Sequence, residues 1–177
     1  MTNEVVLVNE MDEVVGTMEK LRVHQEGLLH RAFSVFLFNR EGKMLLHRRA
    51  EDKYHSGGLW TNACCSHPGP GDDILQAAMN RLKEEMGIQC EIKKLFEFTY
   101  KAEVGNNLTE YEYDHVFVGV YNDAPQPDPA EVSEWQWMHL ESVKEEMQKH
   151  PEHFTAWFRI AIPLLEQSIY EKQIPVS

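Results

Sequence analysis

Cys65 and His67 stand two residues apart in the run Trp60-Thr61-Asn62-Ala63-Cys64-Cys65-Ser66-His67, and Glu110 and Glu112 repeat that spacing further along. Along an extended strand, side chains two apart share a face. Cys65 is therefore expected beside His67, with Cys64 and Ser66 turned the other way, and Glu110 beside Glu112. If both strands border one cavity, a thiol, an imidazole and two carboxylates converge there. His24 and His30, in the preceding connector, complete a set of three imidazoles and two carboxylates, a donor mixture suited to a divalent cation. Taken singly, each histidine is more simply a surface or hydrogen-bonded side chain, and nine histidines make chance groupings easy. The metal reading depends on distant segments meeting.

A second group is cationic. Lys20, Arg48, Arg49, Lys53 and Arg81 are a sizeable share of the 17 Lys and Arg residues in an acidic chain. Gathered at one mouth, they would hold a diphosphate. Arg81 and Glu85 are four apart on an expected helix, where the plain reading is a solvated ion pair. The alternative is that Arg81 faces phosphate while Glu85 holds a second cation that bridges it.

The elements that must position these groups follow from periodicity and turn chemistry. Val5, Leu7 and Val14 suggest a first hairpin turned by Asn9-Glu10-Met11-Asp12-Glu13, followed by a basic, His-bearing connector. Residues 32–39 and 44–47 read as strands joined by Arg40-Glu41-Gly42-Lys43. Residues 54–59 read as a loop, and 60–67 as a strand halted by Pro68-Gly69-Pro70-Gly71. Asp72 or Asp73 caps a helix whose core stripe is Leu75, Ala78, Leu82 and Met86, with Gly87 as its stop. Residues 91–100 and 110–121 alternate as paired strands across the Gly105-Asn106-Asn107 turn. The three prolines of 122–131 mark a surface connection, and 135–139 a last strand. Helices are expected over 140–149 and 154–171, the latter accommodating Pro163.

The chain has 177 residues, 42% of them hydrophobic, which suits one compact domain over 1–177. A net charge of -12 repels nucleic acid and anionic membrane surfaces. An anionic substrate therefore needs a local basic pocket. The acidic start and the lack of a long apolar run make a cytoplasmic protein the expectation, with no membrane partner. Three cysteines, two of them adjacent, point to reduced thiols.

Four ordered motifs carry a resemblance: TMEKLRVHQEGLLHRAFSVFLFN, RRAEDKYHSGGLWTNACCSHP, NRLKEEMGI and TEYEYDHVF. Together they resemble the type 1 isopentenyl-diphosphate isomerases over about residues 6–157. The resemblance implies an α/β Nudix-like fold, a mixed sheet flanked by helices, with the last helix at about 154–171. It implies that His24, His30, His67, Glu110 and Glu112 bind a catalytic Mn2+, Mg2+ or Zn2+, and that Glu85 helps hold Mg2+ with the diphosphate. Lys20, Arg49, Lys53 and Arg81 would face the phosphates. Cys65 and the Glu112 site would move protons on opposite faces of an alkene, Trp157 would offer a π-face to a tertiary carbocation, and Tyr100 would serve Glu112.

The helix departs from the Nudix hydrolase signature. With Gly87 set on the last signature glycine, Asn80-Arg81 stands where Arg-Glu belongs, Asp72 replaces a glutamate, and only Glu84, Glu85 and Gly87 match well. A hydrolase gathers carboxylates there to hold metals and orient water, so a cation in that row argues for holding a diphosphate rather than cutting it. A Nudix hydrolase of a small diphosphate and a non-catalytic metabolite-binding module are the competing readings.

Overall fold

The computed structural model describes residues 3–172 and 174; the remaining termini of the 1–177 span lie outside the described residues. Its centre is β3 (His30–Phe38), which is apolar on both faces. Along one edge β3 pairs in parallel with β8 (Thr109–Val120) from His30↔Glu112 to Phe38↔Val120. Three strands pair antiparallel with β3: β1 (Glu4–Val8) at His30, β6 (Cys64–Ser66) at residues 33–35 and β4 (Lys43–Arg49) at Phe38. β2 (Val14–Glu19) forms the first hairpin with β1, and β7 (Ile92–Glu103) pairs antiparallel with β8. β4 continues to β5 (Trp60–Thr61) and β9 (Val132–His139). The sheet is mixed, as expected.

The alternation of β3 separates two cores. Phe33, Val35 and Leu37 pack with Ala78, Leu82 and Met86 of α2 (Ile74–Met86). Phe36 and Phe38 pack instead with Phe158, Ala161, Ile162 and Leu165 of α4 (Ala156–Lys172), joined by Val143 of α3 (Leu140–Lys149). Helices thus cover both faces. α2 starts at Asp73, whose Oδ1 accepts from Gln76 N at 2.9 Å, and ends at Gly87 with φ 65°. A Cβ at Gly87 would meet Gln126 O at 2.6 Å, so glycine also admits the Pro-rich connection to the helix end. α4 runs through Pro163 without breaking.

Four expectations change. The His-bearing connector contains a helix, α1 (Lys20–Glu26), because the Glu19 carboxylate accepts from Leu21 N and Arg22 N and Gly27 closes it at φ 65°. Residues 60–67 make two short strands rather than one, since Asn62 spends its amide on Val35 O and Cys64 O at 2.8 and 3.0 Å. Leu75, in the first turn of α2, is 41% exposed and lies outside the core stripe. Phe154 precedes the last helix, bridging to Trp60 while Thr155 N donates to Trp60 O.

Candidate active site

The β3–β6 register sets Ser34 opposite Cys65 and Val35 opposite Cys64. Cross-strand partners share a face. Cys64 therefore joins the α2 core, where its thiol donates to Glu85 Oε2 at 3.3 Å. Cys65 faces the other side, lies 3.5 Å from Ser34 Oγ and donates to Asn62 Oδ1 at 3.0 Å. The parallel pairing His30↔Glu112 and the antiparallel pairing Tyr100↔Glu112 bring three more functional side chains to that face, and Tyr100 Oη donates to Glu112 Oε1.

Cys65, His67, Tyr100, Glu110 and Glu112 line one cavity, with Trp157 of α4 also in its wall. His67, Glu110 and Glu112 of this lining belong to a donor cluster. One ligand atom each from His24, His30, His67, Glu110 and Glu112 lie within 4.8 Å of one another. His24 Nδ1 meets Lys20 O at 2.7 Å and His30 Nδ1 meets Leu28 O at 2.9 Å. A carbonyl only accepts, so each Nδ1 carries a proton, and a neutral ring presents the Nε2 lone pair. Those lone pairs face carboxylates, His24 Nε2 3.2 Å from Glu110 and His30 Nε2 3.3 Å from Glu112, and neither nitrogen has a hydrogen-bond partner. Lone pair against carboxylate is repulsive, and a cation among them reverses the sign. The residues therefore fit a divalent metal, which this cluster could hold.

Charge coupling divides the two glutamates. Burial pushes the Glu110 carboxyl up to about 8, with Glu112 beside it acting in the same direction. Burial also acts to raise Glu112, but contacts with Glu110 and His67 hold it well below the usual carboxylate range. Glu112, receiving Tyr100 Oη and 2.6 Å from His67 Nε2, is the charged member. Burial likewise pushes the Cys65 thiol up to about 12, with Asp114 as the next cause, so it keeps its proton at neutral pH.

The same cavity is also lined by cations. Lys20, Arg49, Lys53 and Arg81 line it, and Arg49 Nε and Arg81 Nε are buried without hydrogen-bond partners. Burial lowers the Lys20 pKa, and Lys53 lowers it further, as crowded like charges must. Arg48 does not join them: it turns to Gly58 O and Glu51. Arg81 reaches Glu85 Oε1 at 2.7 Å; Glu85 is only 6% exposed while Arg81 stays partly exposed, and both line the cavity.

Three lining residues escape the strand-parity argument. Glu131 meets Lys53 at 2.5 Å and Arg81 at 3.5 Å, brought there because Gln126 N and Asp128 N bond to the carbonyls of Met86 and Glu85. Tyr54 lies under Lys20 Nζ, 4.9 Å from its ring centroid. His55 Nε2 lies 2.8 Å from Glu110 Oε1, and burial, then Arg49, lowers its pKa to about 3. All three sit in loops, where spacing says nothing about facing; only the proximity of Tyr54 and His55 to Lys53 in sequence hinted at them.

Residues 28–158 match the NUDIX domain. An isopentenyl-diphosphate Delta-isomerase of Pectobacterium atrosepticum is 50% identical over 89% of this chain and 88% of its own length. One from Serratia proteamaculans is 47% identical over the same shares. The crystal structure of DR0079 from Deinococcus radiodurans, 19% identical, superposes with a TM-score of 0.76 over 90% of this chain and 97% of that one, a likeness of fold alone. The match across nearly the whole chain, together with this cavity, shows that the protein belongs to the NUDIX domain family and, within it, to the isopentenyl-diphosphate Delta-isomerases.

Proposed function

We propose that this chain interconverts isopentenyl diphosphate and dimethylallyl diphosphate, an enzyme of isoprenoid biosynthesis working in the cytoplasm. The observation that carries the reading is one cavity lined by the Cys65 thiol of β6 and the Glu112 carboxylate of β8 together with Lys20, Arg49, Lys53 and Arg81. A Nudix hydrolase gathers carboxylates in the helix row where this chain sets Arg81, which speaks for holding the diphosphate rather than cutting it.

Lys20, Arg49, Lys53 and Arg81 take the diphosphate, the two unpartnered guanidinium Nε groups donating to phosphate oxygens. That anchors the five-carbon chain between Cys65 and the Glu112 site. Cys65 gives its proton to the terminal alkene carbon, leaving a tertiary carbocation, and the Glu112 site removes a proton from the neighbouring methylene; the reverse reaction exchanges the roles. The developing cation favours thiolate beside it, offsetting the burial that keeps Cys65 protonated at rest. Trp157 offers its ring to the cation, a contact worth ~2 kcal/mol or more once desolvated. Tyr100 orients Glu112 and relays its proton.

The donor set of His24, His30, His67, Glu110 and Glu112 suits Mn2+, Mg2+ or Zn2+, and Glu85 suits Mg2+ shared with the diphosphate. When bound, these ions supply positive charge that keeps the carboxylates ionised and neutralises the phosphates. No helix of the described residues is long and apolar enough to cross a membrane. Incubating the protein with isopentenyl diphosphate and Mg2+ in deuterated water tests the reading. Dimethylallyl diphosphate carrying solvent deuterium, without phosphate release, is expected; phosphate without isomer would overturn it for the hydrolase, and tight binding without turnover for the binding module.

A further inference from the structure

We infer that His55 is a positioning residue that steers the Glu110 carboxylate toward the metal through its Nε2–H, an inference resting on the metal-site reading above. Glu110 is 3% exposed and its two oxygens differ: Oε1 lies 2.8 Å from His55 Nε2 and 3.2 Å from His24 Nε2, while Oε2 is buried without a partner. A carboxylate ligand needs its outer oxygen held so that the other points at the ion. His24 cannot do the holding, because its Nδ1 proton goes to Lys20 O and its Nε2 lone pair belongs to the donor cluster.

His55 can. Its Nδ1 lies 3.0 Å from Ser56 Oγ, a hydroxyl that is able to donate. With Ser56 donating to Nδ1, the ring proton sits on Nε2, the nitrogen beside Glu110; the opposite tautomer would set a lone pair 2.8 Å from an oxygen of the ionised Glu110. The N–H is not aligned on Oε1, so the two atoms are in close contact without a formed hydrogen bond, a geometry common in active sites without their ligands. His55 stands outside the group of five donors that lie within 4.8 Å of one another. It acts on Glu110, not on the ion.

The surroundings hold the ring in place. His55 is 2% exposed and packs edge-to-face between Tyr54 and Trp157, at centroid distances of 4.4 and 5.8 Å. Arg49 donates to His55 O at 3.1 Å. Ser56 adopts φ 55°, a conformation disfavoured outside glycine, and a Cβ at Gly57 would meet Glu51 O at 2.3 Å. A loop that accepts a left-handed serine and a glycine-only approach aims His55 inward.

Titrating chelator-stripped protein with Mn2+ in the absence of substrate, by calorimetry, tests the inference through affinity rather than turnover. His55→Phe keeps ring and packing but loses the N–H. It should weaken Mn2+ binding about 10-fold to 100-fold, the usual range for losing a ligand's outer partner. His55→Gln, whose amide can still donate, should recover most of the loss, and Ser56→Ala should give a smaller loss by freeing the tautomer. Wild-type affinity in His55→Phe, or a loss in His55→Gln equal to that in His55→Phe, would overturn the inference. If His55→Phe does not fold, wild-type affinity in Ser56→Ala overturns it, and a loss of affinity in Ser56→Ala supports it. Failure of the unmodified protein to bind Mn2+ would instead overturn the metal site itself.

Discussion

Cys64 and Cys65 are neighbours in the chain and strangers in space: the first donates to Glu85 on the α2 side of the sheet, the second to Asn62 beside the cavity. Their alanine variants should separate widely. Cys65→Ala removes the proton an alkene must receive, and losing a positioned acid costs a factor of roughly 10² to 10⁴ in kcat. Cys64→Ala trims a small packed thiol and should leave turnover largely intact. Serine at position 65 should keep a trace. Equal rates in the two alanine variants, both folded by circular dichroism, would refute the assignment of the acid.

Arg81→Glu should weaken diphosphate binding. Arg81 stands beside Glu85 and Glu131, so the variant would set three carboxylates where a substrate anion must sit. The lost contact is charge-assisted, and a penalty of about 1.5 to 3 kcal/mol is expected, mainly as a raised KM. Steady-state kinetics with unchanged KM would return Arg81 to a purely structural ion pair.

Trp157 allows its ring to be separated from its N–H, because Nε1 is buried without a partner. Trp157→Phe should therefore stay folded and retain most activity. Trp157→Leu loses the π-face, a contact of ~2 kcal/mol, and kcat should fall roughly tenfold to thirtyfold. Arg49 lies 5.2 Å from the ring centroid, so KM should also rise in the leucine variant. A kcat that depends only on side-chain volume would show that no cation forms against this ring.

Removing the metal should cost stability as well as activity. Binding to the folded state alone contributes RT ln(1 + [L]/Kd), about 2.7 kcal/mol at a hundredfold excess over Kd. Excess chelator should lower the melting temperature, and Mn2+ should restore it. In His30→Ala the gain from Mn2+ should shrink sharply, since a donor facing Glu112 is gone. An equal gain in that variant would place the ion elsewhere.

Much of this protein could be read along the chain, because strand parity and helix punctuation are local. Two-residue spacing alone sorted Cys65 from Cys64 and set Glu110 with Glu112, and Asp73 and Gly87 bounded the α2 helix through a side-chain cap and a left-handed stop. Motif order pointed to the family. Tertiary structure decided what local rules do not address. That His24 rides a helix capped by Glu19, that Arg48 turns away while Arg49 turns in, and that Glu131 reaches Arg81 through a connection pinned to the end of α2 all follow from long-range backbone contacts. His55 is the clearest case: a loop has no periodicity to predict a facing direction, and its ring meets Glu110 only because β8, α4 and a strained turn converge on it.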